Sequence, residues 1–295
     1  MNTFIAEPVG RERFLLGEGP CYQADTATLS WVDVKGAAVW CMNEQGESDC
    51  LQTGQYVGAA IPTDHGRYVL MMTVGAYLAD GYGLLGKLGK PEDMSIFQRF
   101  NDAKCDPQGR LFAGTMPLFD APRRACGQLY AMSSNGLFRP IMTDTSVSNG
   151  LAWTKTGDKM YFADTGTKQI FVWDYDVASG QAKNCRVAFQ MEGCPDGMTI
   201  DEEDMLWIAL WGDGTVVRVN PQDGKILSRV VVPARDVTSC CFGGESHNVL
   251  YITTSYEREP LNPMAGRIYR VRMPISGAPT IRFKEAEYAD QTDWG

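Results

Sequence analysis

The sequence predicts an all-β fold, a six-bladed β-propeller built as one domain over residues 1–295. Three observations lead there. Amphipathic helical periodicity is nearly absent, short β-rich runs dominate, and the chain resembles itself at a regular interval. The runs include TLSWVDV, YVLMMTV, RLFAGTM, KMYFAD, QIFVWDYD, LWIALW, TVVRVN, VLYITTSY and RIYRVRM, separated by turn chemistry such as NEQG, DPQG, KTGD, VASG and PQDG. With 31 glycines and 15 prolines spread along the chain, many short strands have the turns they need.

The self-resemblance sets the number of units. EGPCYQADTATLSWVDV opens at Glu18, NDAKCDPQGRLFAGTM at Asn101, NGLAWTKTGDKMYFAD at Asn149 and DGMTIDEEDMLWIALW at Asp196. Weaker copies open at Gly58 and Ser239, so the openings are spaced 40–48 residues apart. Six such units of about four strands each read as a propeller. The segment from Phe4 to Phe14 is expected to complete the last blade and close the ring.

Composition narrows the function. Hydrophobic residues make up 44% and charged residues 21%, enough for a continuous core and too little charge for a disordered chain. The net charge of −9 disfavours nucleic acid, whose phosphates need clustered Lys and Arg. The longest apolar run, 68–79, is too short to cross a bilayer. The N-terminus has no charged segment followed by an apolar one, so no signal peptide is expected and a cytoplasmic location is. The nine cysteines are scattered without a C-x-x-C pair and read as free thiols of a reducing compartment.

N-G and D-G taken singly are ordinary hairpin signals. Their phase gives them another meaning. Glu18, Asn101, Asn149 and Asp196 each open the first strand of a repeat, and the innermost strands of a propeller line its axis. Residues sharing a phase therefore converge. Carboxylates brought together without Lys or Arg in the same phase repel, and a bound cation resolves that conflict. Glu, Asp and Asn oxygens suit a hard or borderline divalent ion, and the lack of Cys or His in this phase argues against a closed structural zinc site.

At these residues the chain resembles a known family. LGEGP (16–20), RFNDAKCDPQGRLFAGTM (99–116), SNGLAW (148–153), PDGMTID (195–201), LWIALWGDG (206–214) and TSCCFGG (238–244) are similar to the gluconolactonase–regucalcin family, in the same order and over nearly the whole chain. The resemblance implies that Glu18, Asn149 and Asp196 hold one divalent metal, and that Arg99 and Asn101 contact substrate. It also implies hydrolysis of an aldonic-acid lactone with Ca2+, Zn2+, Mn2+, Mg2+ or Fe2+. In the expected reaction the metal polarises the lactone carbonyl and Asp196 accepts a proton from water. One departure stands out: some relatives carry a substrate-contacting Glu after A-G-T-M, whereas 117–130 here has none, leaving Asp120, Arg123 and Arg124 in that stretch.

Other chemistries find less support. His65 and His247 lie in turn segments outside the shared phase and are expected to be exposed. No G-x-S-x-G elbow is present. YGLLGKLGK (82–90) lacks the G-K-[ST] ending of a phosphate loop and reads as a channel-mouth loop. Trp31, Trp153, Trp207 and Trp211 read as inter-blade packing, with Trp211 also within reach of substrate. Phosphotriester hydrolysis and a non-catalytic binding propeller are the alternatives. A monomer or homodimer acting on a small sugar lactone, without nucleic acid or membrane, is the expected form.

Overall fold

The computed structural model describes residues 2–118 and 127–286. Asp120, Arg123, Arg124 and Cys126 lie outside the described residues. The repeats fold as up-and-down antiparallel sheets. The first blade comprises Gly17–Gln23, Thr28–Asp33, Ala38–Met42 and Ser48–Gln52, and the second Val57–Pro62, Tyr68–Met72, Gly75–Asp80 and Gly83–Gly89. The third comprises Gln98–Cys105, Leu111–Pro117, Gly127–Met132 and Phe138–Thr145, and the fourth Ser148–Trp153, Lys159–Asp164, Gln169–Asp176 and Gln181–Gln190.

Past the fourth blade the pairing departs from expectation. The remaining strands belong to one nine-stranded sheet, in which Leu206–Trp211 pairs Asp236–Gly243 through Trp211 and Asp236. Six separate blades are therefore not what forms. The propeller has four separate four-stranded blades, and the fifth and sixth repeats are fused. The repeats count strands; they carry no signal for which strand edges bond to each other. The N-terminus adds to the fusion. Glu7–Val9 lies antiparallel on Ile268–Arg272, while Asn2–Ile5 runs parallel to Ile226–Val231. The N-terminal segment thus ties the fifth and sixth repeats together, instead of only completing the last.

Burial explains the composition of each layer. The first strands of the repeats neighbour one another in a closed ring around the axis. They are covered on both faces, and Val57–Pro62, Ser148–Trp153 and Asp236–Gly243 are buried throughout. Such strands need small residues. A Cβ on Gly150 would sit 2.7 Å from the Asp196 carbonyl oxygen and 2.7 Å from the Met198 nitrogen, both backbone atoms of the next strand. Gly150→Ala is accordingly expected to destabilise the fold by about 1–3 kcal/mol, because backbone cannot yield as a side chain can. Denaturant unfolding checks this, and a change below about 0.5 kcal/mol would contradict the close approach. The outermost strands, by contrast, are largely exposed, as in QAKNCRVAFQ (181–190).

Between the layers lie apolar clusters. Phe14 packs edge-on against Trp31 and Trp40 at 5.3 Å, and Trp207 against Phe242 at 5.7 Å. Residues 83–89, expected within a mouth loop, instead form the outermost strand of the second blade. The eight described cysteines are unpaired, and Cys21, Cys105, Cys240 and Cys241 are buried. Among the described residues no helix is long and apolar enough to cross a membrane.

Candidate metal centre

Every one of the six ring strands breaks register near its start against the second strand of its own repeat. The breaks fall between Glu18 and Cys21, Val57 and Ala59, Phe100 and Ala103, Ser148 and Leu151, Pro195 and Met198, and Val237 and Ser239. A bulge re-aims a side chain that regular pleating would bury against a sheet. Asn101, Asn149 and Asp196 all sit within these bulges, and Glu18 stands at the edge of one. The Asn149–Gly150 and Asp196–Gly197 pairs are therefore strand bulges, not hairpin turns.

All four side chains are buried, as is Arg99. A continuous set of hydrogen bonds links Arg99, Asn101 and Asn149 and runs on to the Pro195 carbonyl. Arg99 Nη1 donates to Asn101 Oδ1 at 2.9 Å and to the Phe100 carbonyl. Asn101 Nδ2 donates to Asn149 Oδ1 at 2.7 Å and to the Ser148 carbonyl at 2.9 Å. Asn149 Nδ2 donates to Thr165 Oγ1 at 2.7 Å, and that hydroxyl donates to the Pro195 carbonyl at 2.7 Å. Arg99 and Asn101 thus form a connected group with Asn149.

The acidic side of the site is under strain. Burial pushes the Glu18 carboxyl up to about 8, with the Asp102 charge adding to the effect. Burial likewise raises Asp196 well above the usual carboxylate range, and Glu18 and Asp102 push it further. Arg99 is lowered to about 10 by burial, with Glu18 and Asp196 among the charges opposing that shift. One guanidinium faces several carboxylates. Asp196 Oδ1 is buried with no hydrogen-bond partner among the described residues. An orphaned carboxylate oxygen beside a second buried carboxylate and an amide oxygen is the donor set a divalent cation fits.

Asp102, a further buried carboxylate whose charge acts on Glu18 and Asp196 and which lines the axial cavity, escaped the phase argument because it lies one residue past the repeat opening. Its carboxyl is raised by burial, while Lys104 opposes the shift. Thr165 escaped as well, since it lies in the turn after a second strand and only the folded ring brings it to Asn149. Trp211 is half-buried at the rim, with the Arg258 guanidinium 4.6 Å above its ring and paired with buried Asp236. Trp31, Trp153 and Trp207 are buried.

A cavity of about 420 Å³ occupies the other part of the axis, lined by the later halves of the ring strands and closed in part by 276–281. His65 is exposed, 2.9 Å from Asp64, whereas His247 is half-buried and lines this cavity. The expectation of an exposed His247 is thereby corrected: it is half-buried against the cavity, while Glu245 and Ser246 of the same turn stay exposed. Asp64, His65 and Glu285 also bring ligand atoms within 4.8 Å of one another, but Arg67 Nε already donates to Glu285 Oε1 at 3.1 Å.

Comparison with known proteins places this geometry among relatives. Residues 16–256 match the SMP-30/Gluconolactonase/LRE-like region. A Bacillus subtilis (strain 168) protein, YvrE, assigned to the sugar lactone lactonases, is 35% identical over 92% of this chain and 96% of its own. Regucalcin of Danio rerio is 34% identical over 96% of this chain and 99% of its own. The crystal structure of an Agrobacterium tumefaciens regucalcin, described as a calcium-binding protein, superposes with a TM-score of 0.89 at 22% identity, covering 96% of this chain and 99% of that one.

Proposed function

The chain belongs to the SMP-30/gluconolactonase/LRE-like family, and from that premise we propose that it hydrolyses a sugar lactone to the open-chain aldonic acid at the axial site, with one divalent metal held by Glu18, Asn149 and Asp196. The observation that carries the reading is the unpartnered, buried Asp196 Oδ1 in a cluster of raised carboxylates. Glu18, Asn149 and Asp196 would hold the cation, which would supply Lewis acidity toward the lactone carbonyl.

The chain's own groups do the rest. Asp196 accepts the proton of the attacking water, as a carboxylate buried at the axis beside the proposed metal position. Arg99, locked to Asn101 Oδ1 at 2.9 Å, presents its remaining guanidinium donors to the sugar hydroxyls. Asn101, whose amide N–H groups are spent on Asn149 and the Ser148 carbonyl, offers them the second lone pair of its Oδ1. The same reading takes the protein as a single cytoplasmic domain acting on a small molecule, as monomer or homodimer, and its net charge of −9 fits no nucleic-acid partner.

The test is a panel of aldonolactones and phosphotriesters assayed with metal-stripped protein and each of Ca2+, Zn2+, Mn2+, Mg2+ and Fe2+ added back. Metal-dependent turnover of a lactone is expected, and turnover of phosphotriesters alone would overturn the assignment. Substituting His65 and His247 together by Gln is expected to leave the pH profile of kcat/KM unchanged, because neither imidazole reaches the Glu18–Asp196 cluster. A shifted acid or base limb in that variant would contradict the carboxylate assignment.

A further inference from the structure

We infer that Thr165 is a positioning residue, clamping two of the proposed metal ligands to each other and fixing which end of the Asn149 amide faces the metal. The inference rests on the metal-binding reading above and concerns a residue outside the ligand set.

The argument is one of donor polarity. A guanidinium only donates, so Asn101 must turn Oδ1 to Arg99 and its Nδ2 to Asn149. At the far end the Pro195 carbonyl only accepts, so the Thr165 hydroxyl spends its single proton there. Toward Asn149 that hydroxyl can then only accept, and it must meet Nδ2. Both ends demand the same orientation of the Asn149 amide, with its carbonyl oxygen away from Thr165.

The clamp also sets a distance. Pro195 immediately precedes Asp196 in the bulge of Cys194–Ile200, while Asn149 stands in the bulge of Ser148–Trp153. These two ring strands share no ladder bonds with each other, since Ser148–Trp153 pairs with Lys159–Asp164 and Cys194–Ile200 with Leu206–Trp211. The two 2.7 Å bonds through Thr165 Oγ1 bridge these bulges on neighbouring strands. Without the hydroxyl, Asn149 Nδ2 and the Pro195 carbonyl each lose a partner, and the spacing of the two ligands is no longer set from this side.

The experiment titrates metal-stripped wild type, Thr165→Val and Thr165→Ser with Mn2+ by calorimetry, with thermal unfolding of the same metal-free samples. Thr165→Val is expected to weaken Mn2+ binding by about 10–100-fold, the usual effect of losing an outer-shell partner. Its metal-free melting temperature should fall by no more than about 4 °C. Thr165→Ser keeps the hydroxyl and should restore affinity to within about threefold of wild type, an outer-shell effect far smaller than the loss in Val. Wild-type affinity in Thr165→Val, or Thr165→Ser as weak as Val, would overturn the inference while leaving the metal site standing. Failure of the wild type to bind Mn2+, Ca2+ or Zn2+ would overturn the metal-binding reading, and the clamp with it. Should Thr165→Val not fold, Thr165→Ala removes the same hydroxyl with less bulk and is held to the same outcomes.

Discussion

Asp196→Asn is expected to lower kcat for lactone hydrolysis by about 10²–10⁴-fold, the span usual for loss of a general base. The substitution is nearly isosteric, so the bulge of Cys194–Ile200 and its Gly197 can stay as they are. An amide oxygen still offers the cation a lone pair but cannot take a proton from water. Metal affinity should also fall, because a charged ligand has been replaced by a neutral one. Kinetics at saturating metal separate the two effects. If kcat returns to near wild type under those conditions, Asp196 is a ligand only and the proton acceptor lies elsewhere, with Asp102 the next buried carboxylate in the site.

Removal of the divalent ion has the other large expected effect. Chelation should reduce lactone hydrolysis to background, and readdition should restore it. Full turnover by thoroughly stripped protein would remove the basis of the proposed mechanism. The same experiment has a pH signature. In the metal-free chain Glu18 is raised from 4.5 to about 8, chiefly by burial, and Asp196 moves the same way. A carboxyl whose folded value lies above its unfolded one contributes stability that is fully present below about 4.5 and lost as pH rises through about 8. The metal-free protein should therefore melt progressively lower across that window, the Glu18 contribution being on the order of a few kcal/mol. A bound cation holds both carboxylates ionised and reverses the trend. The melting gap between loaded and stripped protein should widen from pH 5 to pH 8, and binding at pH 7 should release protons. Scanning calorimetry and titration in buffers of different ionisation enthalpy measure both. A gap independent of pH would show that the two carboxyls do not face the metal.

The two effects differ in how far the sequence alone could have foretold them. Phase within the repeats was enough to bring Glu18, Asn101, Asn149 and Asp196 together, because residues at equal positions in a ring of repeats meet at its axis. The Gly partners of Asn149 and Asp196 were legible as special positions, yet their meaning was not. They allow close approach of neighbouring ring strands, which depends on atoms of residues roughly 40–50 positions away, Asp196 and Met198 for Gly150 and Ser239 for Gly197. Asp102 was hidden for a related reason: a bulge at Phe100–Ala103 puts two consecutive residues, Asn101 and Asp102, out of the regular pleat, and sequence alternation assumes there is no bulge.

By itself, then, the sequence determined the all-β character, the repeat length and the inventory of carboxylate and amide oxygens at the axis, since these follow from local periodicity and turn chemistry. The tertiary structure decided the rest. It fused the fifth and sixth repeats through Trp211 and Asp236, turned His247 toward the axial cavity, and joined Asn149 to the Pro195 carbonyl through Thr165. Each of these is a long-range hydrogen bond or a burial choice between segments whose local sequences carry no record of one another. Only the closed ring brings the partners within reach and removes the water that would otherwise satisfy them.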